Sequence, residues 1–325
     1  MSYIKNVAIV GASGQQGQWI VEELLKTGKH DITAITRADS SGTVPDGVKT
    51  AIVNYEDPAK LVKALQGKDC LIITMAVTAP RDTQTKLINA AIEAEVPWIL
   101  PNEYGSDYTN VQLAKDTFLG MGILAARKQI EDSKTSSFIA IACGFWYEYS
   151  LGVLPVCYGF DMKNREMTFY DDGNTKINTS TWAHVGRAVA KLLSLPIESS
   201  SGLSVSSFKN KPVRISSFFL SQKDMLEAVK RVTGTTDNDW TVKYQDVKER
   251  YEEGVKEFDG GKGNRMGFAK LLYARVFYPD GSGAFGETKG LHNEELGLPQ
   301  DNLDEQTKIG VHRGLTGDAS GRGPK

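Results

Sequence analysis

Apolar positions in the first half of the chain follow two alternating patterns. Runs that are apolar nearly throughout cover 6–10, 31–36, 70–76, 97–101 and 138–143, with a shorter one over 49–53. Continuous runs of this length predict strands buried on both faces. Helical spacing separates them. Ile20, Val21, Leu24 and Leu25 fall on one helical face, and Gly28 sits where a C-cap belongs. Asp57 and Pro58 read as an N-cap and first helical position for a helix over 59–66 that stops at Gly67. Further helices are predicted over 82–95 and 119–133. Strands alternating with helices predict a parallel sheet, and right-handed crossovers make it doubly wound.

The second half is less regular. A strand is predicted over 167–170 with a turn at Asp172-Gly173-Asn174. A helix is predicted over 184–194, a strand over 212–219 and a helix start at 221–224. The span 243–256 reads as a charged helix, 258–267 as a glycine-rich loop and 270–277 as an amphipathic patch. The fold class is therefore α/β: a doubly wound parallel Rossmann sheet with a smaller C-terminal α+β substrate lobe. The expected division is 1–155 for the sheet domain and 156–307 for the second lobe, with some segments returning to the first domain. The Gly-rich, charged tail 308–325 is expected to be disordered.

The turn after the first run is Gly11-Ala-Ser-Gly14-Gln-Gln-Gly17. Strand, glycine turn and helix in this order form a phosphate-cradling unit. The first glycine permits the tight turn, the second lets backbone approach a diphosphate, and the third lets helix pack on sheet. N–H groups at the helix start then meet the phosphates, so Gly11, Ser13, Gly14, Gln15, Gln16 and Gly17 are candidate coenzyme contacts. Arg37 ends the second run, about 20 residues past the last glycine, where the ribose-reading residue belongs. A guanidinium there suits a 2′-phosphate, which favours NADPH, while Asp39 nearby keeps NADH open.

Ligands in open α/β sheets bind at the carboxyl ends of the strands. Met75, Ala76, Val77 and Thr78 follow one such end and are expected along the coenzyme. Asn102 follows the next and is a further candidate contact; Glu103, Tyr104 and Asp107 beside it could position substrate or nicotinamide. The segment Phe145-Trp-Tyr147-Glu-Tyr149 follows a third and suits a flat apolar substrate.

Composition narrows the rest. Net charge is −2 and the pI is near 6.2, which gives no basic face for nucleic acid. No run reaches the roughly 18 apolar residues of a membrane span. The first run begins six residues in, leaving no room for a signal peptide, so a cytoplasmic location is expected. Cys70, Cys143 and Cys157 lack metal spacing, and His30, His184, His292 and His312 are scattered, so no metal site is expected.

GASGQQG at 11–17, ITR ending at Arg37, KALQGKDCLII at 63–73, PNEYGSD at 101–107, GFWYEY at 144–149 and NTSTWAHVGRAVAKLL at 178–193 together resemble the NmrA-like and isoflavone-reductase-like atypical short-chain dehydrogenases. The tail half most resembles fungal CipA-type oxidoreductases. The resemblance implies NADPH and reduction of a small aromatic or polyketide-like molecule by a monomer or homodimer. Some members of the family bind the dinucleotide as regulators, so a non-catalytic NADP(H) sensor with a protein partner is the alternative. The plant reductases' general-acid lysine falls on Ile123 here, and a lysine contacting the 2′-phosphate falls near Asp46. Lys128 and Lys115 are the nearest lysines to the first position. Lys128 and Tyr147 are the candidate proton donors. Tyr244-x-x-x-Lys248 matches the ordinary short-chain signature but lies in the charged second-half segment, which argues against an epimerase or dehydratase.

Overall fold

The computed structural model describes residues 2–40, 42–76 and 79–323. β1 (Asn6–Val10) leads into α1 (Gln15–Thr27), β2 (Asp31–Thr36), β3 (Lys49–Ile52), α2 (Pro58–Leu65), β4 (Cys70–Ile73), α3 (Thr83–Glu93) and β5 (Trp98–Leu100). β6 (Tyr104–Gly105), α4 (Val111–Asp116), α5 (Leu119–Ser133), β7 (Ser137–Ala142), β8 (Phe145–Trp146), α6 (Tyr147–Gly152) and α7 (Pro155–Tyr158) complete the first half. Next come β9 (Phe160–Asp161), β10 (Glu166–Tyr170), β11 (Lys176–Ser180), α8 (Trp182–Leu193), β12 (Lys211–Arg214), β13 (Phe218–Ser221) and α9 (Gln222–Thr233). β14 (Thr241–Gln245), α10 (Val247–Phe258), α11 (Arg265–Val276), α12 (Phe285–Lys289) and α13 (Leu303–Thr316) close the chain.

An eight-stranded parallel sheet runs in the order β12-β7-β5-β4-β1-β2-β3, with β6 beside β7. Alternate residues of β1 serve opposite faces, as the two-residue strand period requires. Val7 and Ile9 join Ile20, Leu24, Val185 and Val189 in the core under α1 and α8. Ala8 and Val10 join Leu61, Leu87 and Ile130 in the core under α2, α3 and α5. Strand order reverses between β1 and β4, so a crevice opens above their carboxyl ends. Among the described residues no helix is long and apolar enough to cross a membrane.

Two small sheets, β14-β10-β9 and β13-β11-β8, surround a third core rich in aromatics. Chain order does not divide the cores at residue 155. Tyr108, Leu113 and Tyr147 precede it and sit in the aromatic core, whereas Val185, Val189 and Val213 follow it and sit in the first. The strand predicted over 212–219 is two strands in different sheets, β12 and β13. The helix predicted over 243–256 begins only at Val247, because residues 241–245 pair with β10 as β14. Tyr244 is therefore on a strand and Lys248 on the following helix, and the two do not share a helical face.

Of the tail expected to be disordered, residues 308–323 have a defined course. Residues 308–316 form most of α13, which Asn302 caps by accepting from Glu305 N. Glycine here marks close packing: a Cβ on Gly310 would come within 2.8 Å of the Leu151 side chain, and one on Gly152 within 2.0 Å of Gly310 O. Buried Thr307, Gly310 and Val311 place that face of α13 on α6.

Candidate functional site

The glycine turn is shaped by backbone contact. Gly11 has φ +81°, and a Cβ there would lie 2.0 Å from the Thr74 carbonyl oxygen. A Cβ on Gly17 would lie 2.0 Å from the Gly11 carbonyl oxygen. Thr74 Oγ1 donates to the carbonyls of Val10 and Gly11 at 2.8 and 3.2 Å, tying the turn to the end of β4. Gly14 is the N-cap of α1, with no side-chain cap bond and no acidic residue in the first turn. The helix therefore starts with N–H groups that no side chain satisfies, at the positive end of its dipole. These features fit a diphosphate.

The candidate contacts around this turn divide. Ser13 is exposed and touches the segment after β2, where a Cβ on Gly42 would meet its Oγ at 2.0 Å. Gln15 and Gln16 use their side chains elsewhere: Gln15 Nε2 donates to Ala319 O at 3.2 Å, and Gln16 Nε2 to Trp182 O at 3.4 Å. Only their backbone N–H groups remain for a phosphate. Arg37 stands exposed at the end of β2, with Nε 3.4 Å from Asp39 Oδ1. At the end of β4, Met75 N donates to Asn102 Oδ1 at 2.9 Å and Asn102 Nδ2 donates back to Met75 O at 3.1 Å. That reciprocal pair clamps the carboxyl ends of β4 and β5 over the crevice. Ala76 is exposed beside it, while Val77 and Thr78 lie outside the described residues.

The residues expected to act on substrate are anchors instead. Glu103 is buried against Arg127, whose Nε donates at 3.0 Å. Burial outweighs that pairing and pushes the Glu103 carboxyl up. Asp107 accepts from Arg214 Nε at 2.7 Å and Lys289 Nζ at 3.1 Å. Burial pushes it up, but hydrogen bonds from Arg214 and Thr109 prevail and hold it at about 2. Tyr147 is fully buried, its hydroxyl 2.7 Å from Thr307 Oγ1, and burial raises its pKa far above a donor's useful range. Phe145 stacks on Tyr273, with ring centroids 4.0 Å apart. Between Ser106, Phe145, Asn178 and Phe285 remains a cavity of about 10 Å³. Lys128 lies on the outer face of α5, with Nζ 2.8 Å from Asp132. Neither proton-donor candidate reaches the crevice: Tyr147 is absorbed by packing and Lys128 by a solvated helix face.

Sequence reasoning missed an aromatic cluster. Phe118 precedes α5 with φ +60° and remains half-exposed. A bulky side chain rarely adopts that backbone. Phe118 meets Phe258 edge-on at 5.4 Å, and Phe258 meets Phe268 at 5.1 Å. The turn between α10 and α11 reaches the segment after β4: a Cβ on Gly261 would lie 3.3 Å from Arg81 Nη2. Ile123 sits one turn into α5, half-buried. No periodicity marks these phenylalanines, and Phe118 lies far in sequence from Phe258 and Phe268.

Residues 4–259 match the NmrA-like family. The chain belongs to the NmrA-like family. The oxidoreductase aprR of Aspergillus flavus is 27% identical over 305 residues, covering 92% of this chain and 96% of that protein. Quinone oxidoreductase 2 of Escherichia coli is 29% identical over 195 residues, 58% of this chain and 64% of that one. Among solved structures, AtPrR2 with NADP+ and (+)pinoresinol superposes with a TM-score of 0.68 at 18% identity, covering 95% of this chain and 99% of that one. The NADPH complex of the Escherichia coli NADPH-dependent quinone oxidoreductase gives 0.65 at 21% identity, with 93% and 98% covered. At these identities the structural likeness shows that this NmrA-like chain has the same fold.

Proposed function

We propose that this NmrA-like protein is an NADPH-dependent reductase of a small aromatic or polyketide-like molecule. The observation that carries the reading is the start of α1, where unsatisfied N–H groups and contact-forced glycines follow β1, whose neighbour β2 leads into Arg37. The oxidoreductase names of relatives and the coenzymes held by structures of the same fold support it. Bound NADPH supplies hydride. The chain's own part is to bind and orient: N–H groups of Gln15, Gln16 and Gly17 take the diphosphate, Arg37 grips the 2′-phosphate, and the Met75–Asn102 clamp supports the nicotinamide half. Phe118, Phe258 and Phe268 cover an apolar ring and exclude water from it.

No lysine or tyrosine among the candidates is placed to protonate the product. That favours acceptors whose reduced form is a stabilised anion protonated by solvent, such as quinones or conjugated enones. The test follows NADPH absorbance with a panel of naphthoquinones and aromatic enones. Saturable oxidation by one class supports the reading. A second reading, a non-catalytic NADP(H) sensor, is favoured by the cavity beside Phe145, which holds about one water. NADPH binding without oxidation by any acceptor selects it, and failure to bind either coenzyme defeats both.

A further inference from the structure

Beyond α13 residues 317–323 stay against the molecule. The chain turns at Gly317, which has φ +78°, and runs back over the outer side of α1. Three contacts fix its course. Gln15 Nε2, from the first helical residue after the glycine turn, donates to Ala319 O at 3.2 Å. Gly321 lies flat on the Trp182 indole, where a Cβ would come within 2.3 Å of the ring. Arg322 places its guanidinium 4.5 Å over the Trp19 ring and donates from Nη1 and Nη2 to the two carboxylate oxygens of Glu22, at 3.2 and 3.1 Å.

Arg322 thereby becomes one wall of a groove of about 470 Å³. The other walls are Ala12 and Ser13 of the glycine turn, the 42–45 segment that follows β2, and Gln18 and Glu22 of α1. A dinucleotide lying across a Rossmann crevice puts its adenosine ribose between the glycine turn and the end of β2. This groove opens between the glycine turn and residues 42–45, on the chain that continues from the end of β2. Among its walls Arg322 is the cationic side chain. Its end-on grip on Glu22 spends one N–H of each terminal nitrogen. Nε–H and the second N–H of one terminal nitrogen remain as a side-on fork, the geometry that matches a phosphate.

We propose that the C-terminal strap, residues 317–323, is part of the coenzyme site, and that Arg322 is a second specificity-determining cation for the 2′-phosphate of NADPH. Glu22 and Trp19 are positioning residues for that guanidinium, and Gln15 tethers the strap to the phosphate-binding turn. The inference rests on the NADPH reading above. It adds that the last turn of the chain, and not only the end of β2, separates NADPH from NADH.

The test titrates NADPH and NADH into the full-length protein and its Arg322→Gln variant by calorimetry at two salt concentrations. The expected result is a roughly tenfold loss of NADPH affinity, about 1.4 kcal/mol, with NADH affinity unchanged and a shallower salt dependence for NADPH. Trypsin cleavage after Arg322 is expected to slow when NADPH, but not NADH, is present. An unchanged NADPH affinity overturns the proposal, as does an equal loss for both coenzymes, which would make the strap a structural brace. Wild-type protein that binds neither coenzyme refutes the underlying reading instead, and the wild-type titration shows that separately.

Discussion

The two ends of the crevice are held by different forces. At the glycine turn, backbone touches backbone, and side chains are excluded by contacts of 2.0 Å between would-be Cβ atoms and carbonyl oxygens. At the Asn102–Asp107 loop and the segment around Phe145, side chains do the fixing: Glu103 on Arg127, Asp107 on Arg214 and Lys289, Glu148 on the start of α8. The first arrangement leaves polar backbone groups open for a ligand. The second spends most of its charged groups on the protein itself, though Glu148 Oε2 is left without a partner. Coenzyme binding therefore belongs to the backbone end, and rigidity to the side-chain end.

Breaking the side-chain end gives the largest expected effect. Arg127→Met leaves the Glu103 carboxylate buried without its partner. Losing one member of a buried ion pair costs about 3–5 kcal/mol, read as a lowered urea midpoint. Glu103 is raised by burial already, so in the variant it takes up a proton more readily, and the loss is expected to be larger at pH 8 than at pH 5. An unchanged midpoint would show that the pair carries no weight.

Glu148 sharpens the contrast next. Its Oε1 accepts from Trp182 N at 2.8 Å while Oε2 has no partner, and burial raises it to about 7. The folded protein then holds a proton that the unfolded chain releases near its ordinary value of about 4.3. Stability contributed by that proton is present below the unfolded value and is lost as pH rises to about 7, by roughly 4 kcal/mol in all, about 3 of it between pH 5 and pH 8. Glu148→Gln keeps the acceptor and removes the titration. The variant should gain on wild type by that amount between pH 5 and pH 8 in urea melts; a parallel pH profile would refute the assignment.

At the backbone end, Gly17→Ala drives a methyl onto the Gly11 carbonyl. Only movement of the turn or of α1 relieves it, and either displaces the N–H groups from the phosphates. Coenzyme affinity should fall about a hundredfold, near 2.7 kcal/mol, with far-ultraviolet circular dichroism preserved. Retained affinity would mean that the turn binds nothing.

The same contrast explains what could be read from the chain. Backbone devices leave local signatures, so the glycine spacing, the Asp57-Pro58 helix start and the helix start at 221–224 were legible and appear in the structure. The side-chain end depends on residues distant in sequence. Tyr147 meets Thr307, Glu148 meets Trp182, and Phe118 meets Phe258, and no spacing rule links them. Glycine was misread at the end of 258–267, where Gly267 is a buried residue of α11 and not of a loop, and again in the tail. Gly310 and Gly314 resemble a flexible composition, but they are where α13 meets α6 and Met162. Glycine content says that backbone can come close; it does not say whether what comes close is solvent or another helix.

The smallest expected effect tests the clearest disagreement. Lys128 was a candidate proton donor through its place near the family's lysine. On α5 its side chain is 74% exposed and its ammonium lies 2.8 Å from Asp132, one turn on. The hydrogen bond and charge of Asp132 raise its pKa, opposite to the lowering that a lysine donating protons near neutrality requires. Nothing buries the group, so no desolvation reverses that direction. Lys128→Ala should leave coenzyme affinity, turnover, its pH profile and the melting temperature unchanged. A tenfold fall in turnover at constant KM, with an altered basic limb, would place Lys128 in the reaction and require α5 to turn toward the crevice when substrate binds. Absent that, solvent remains the proton source at the side-chain end, where Glu103, Asp107 and Tyr147 are already paired within the protein.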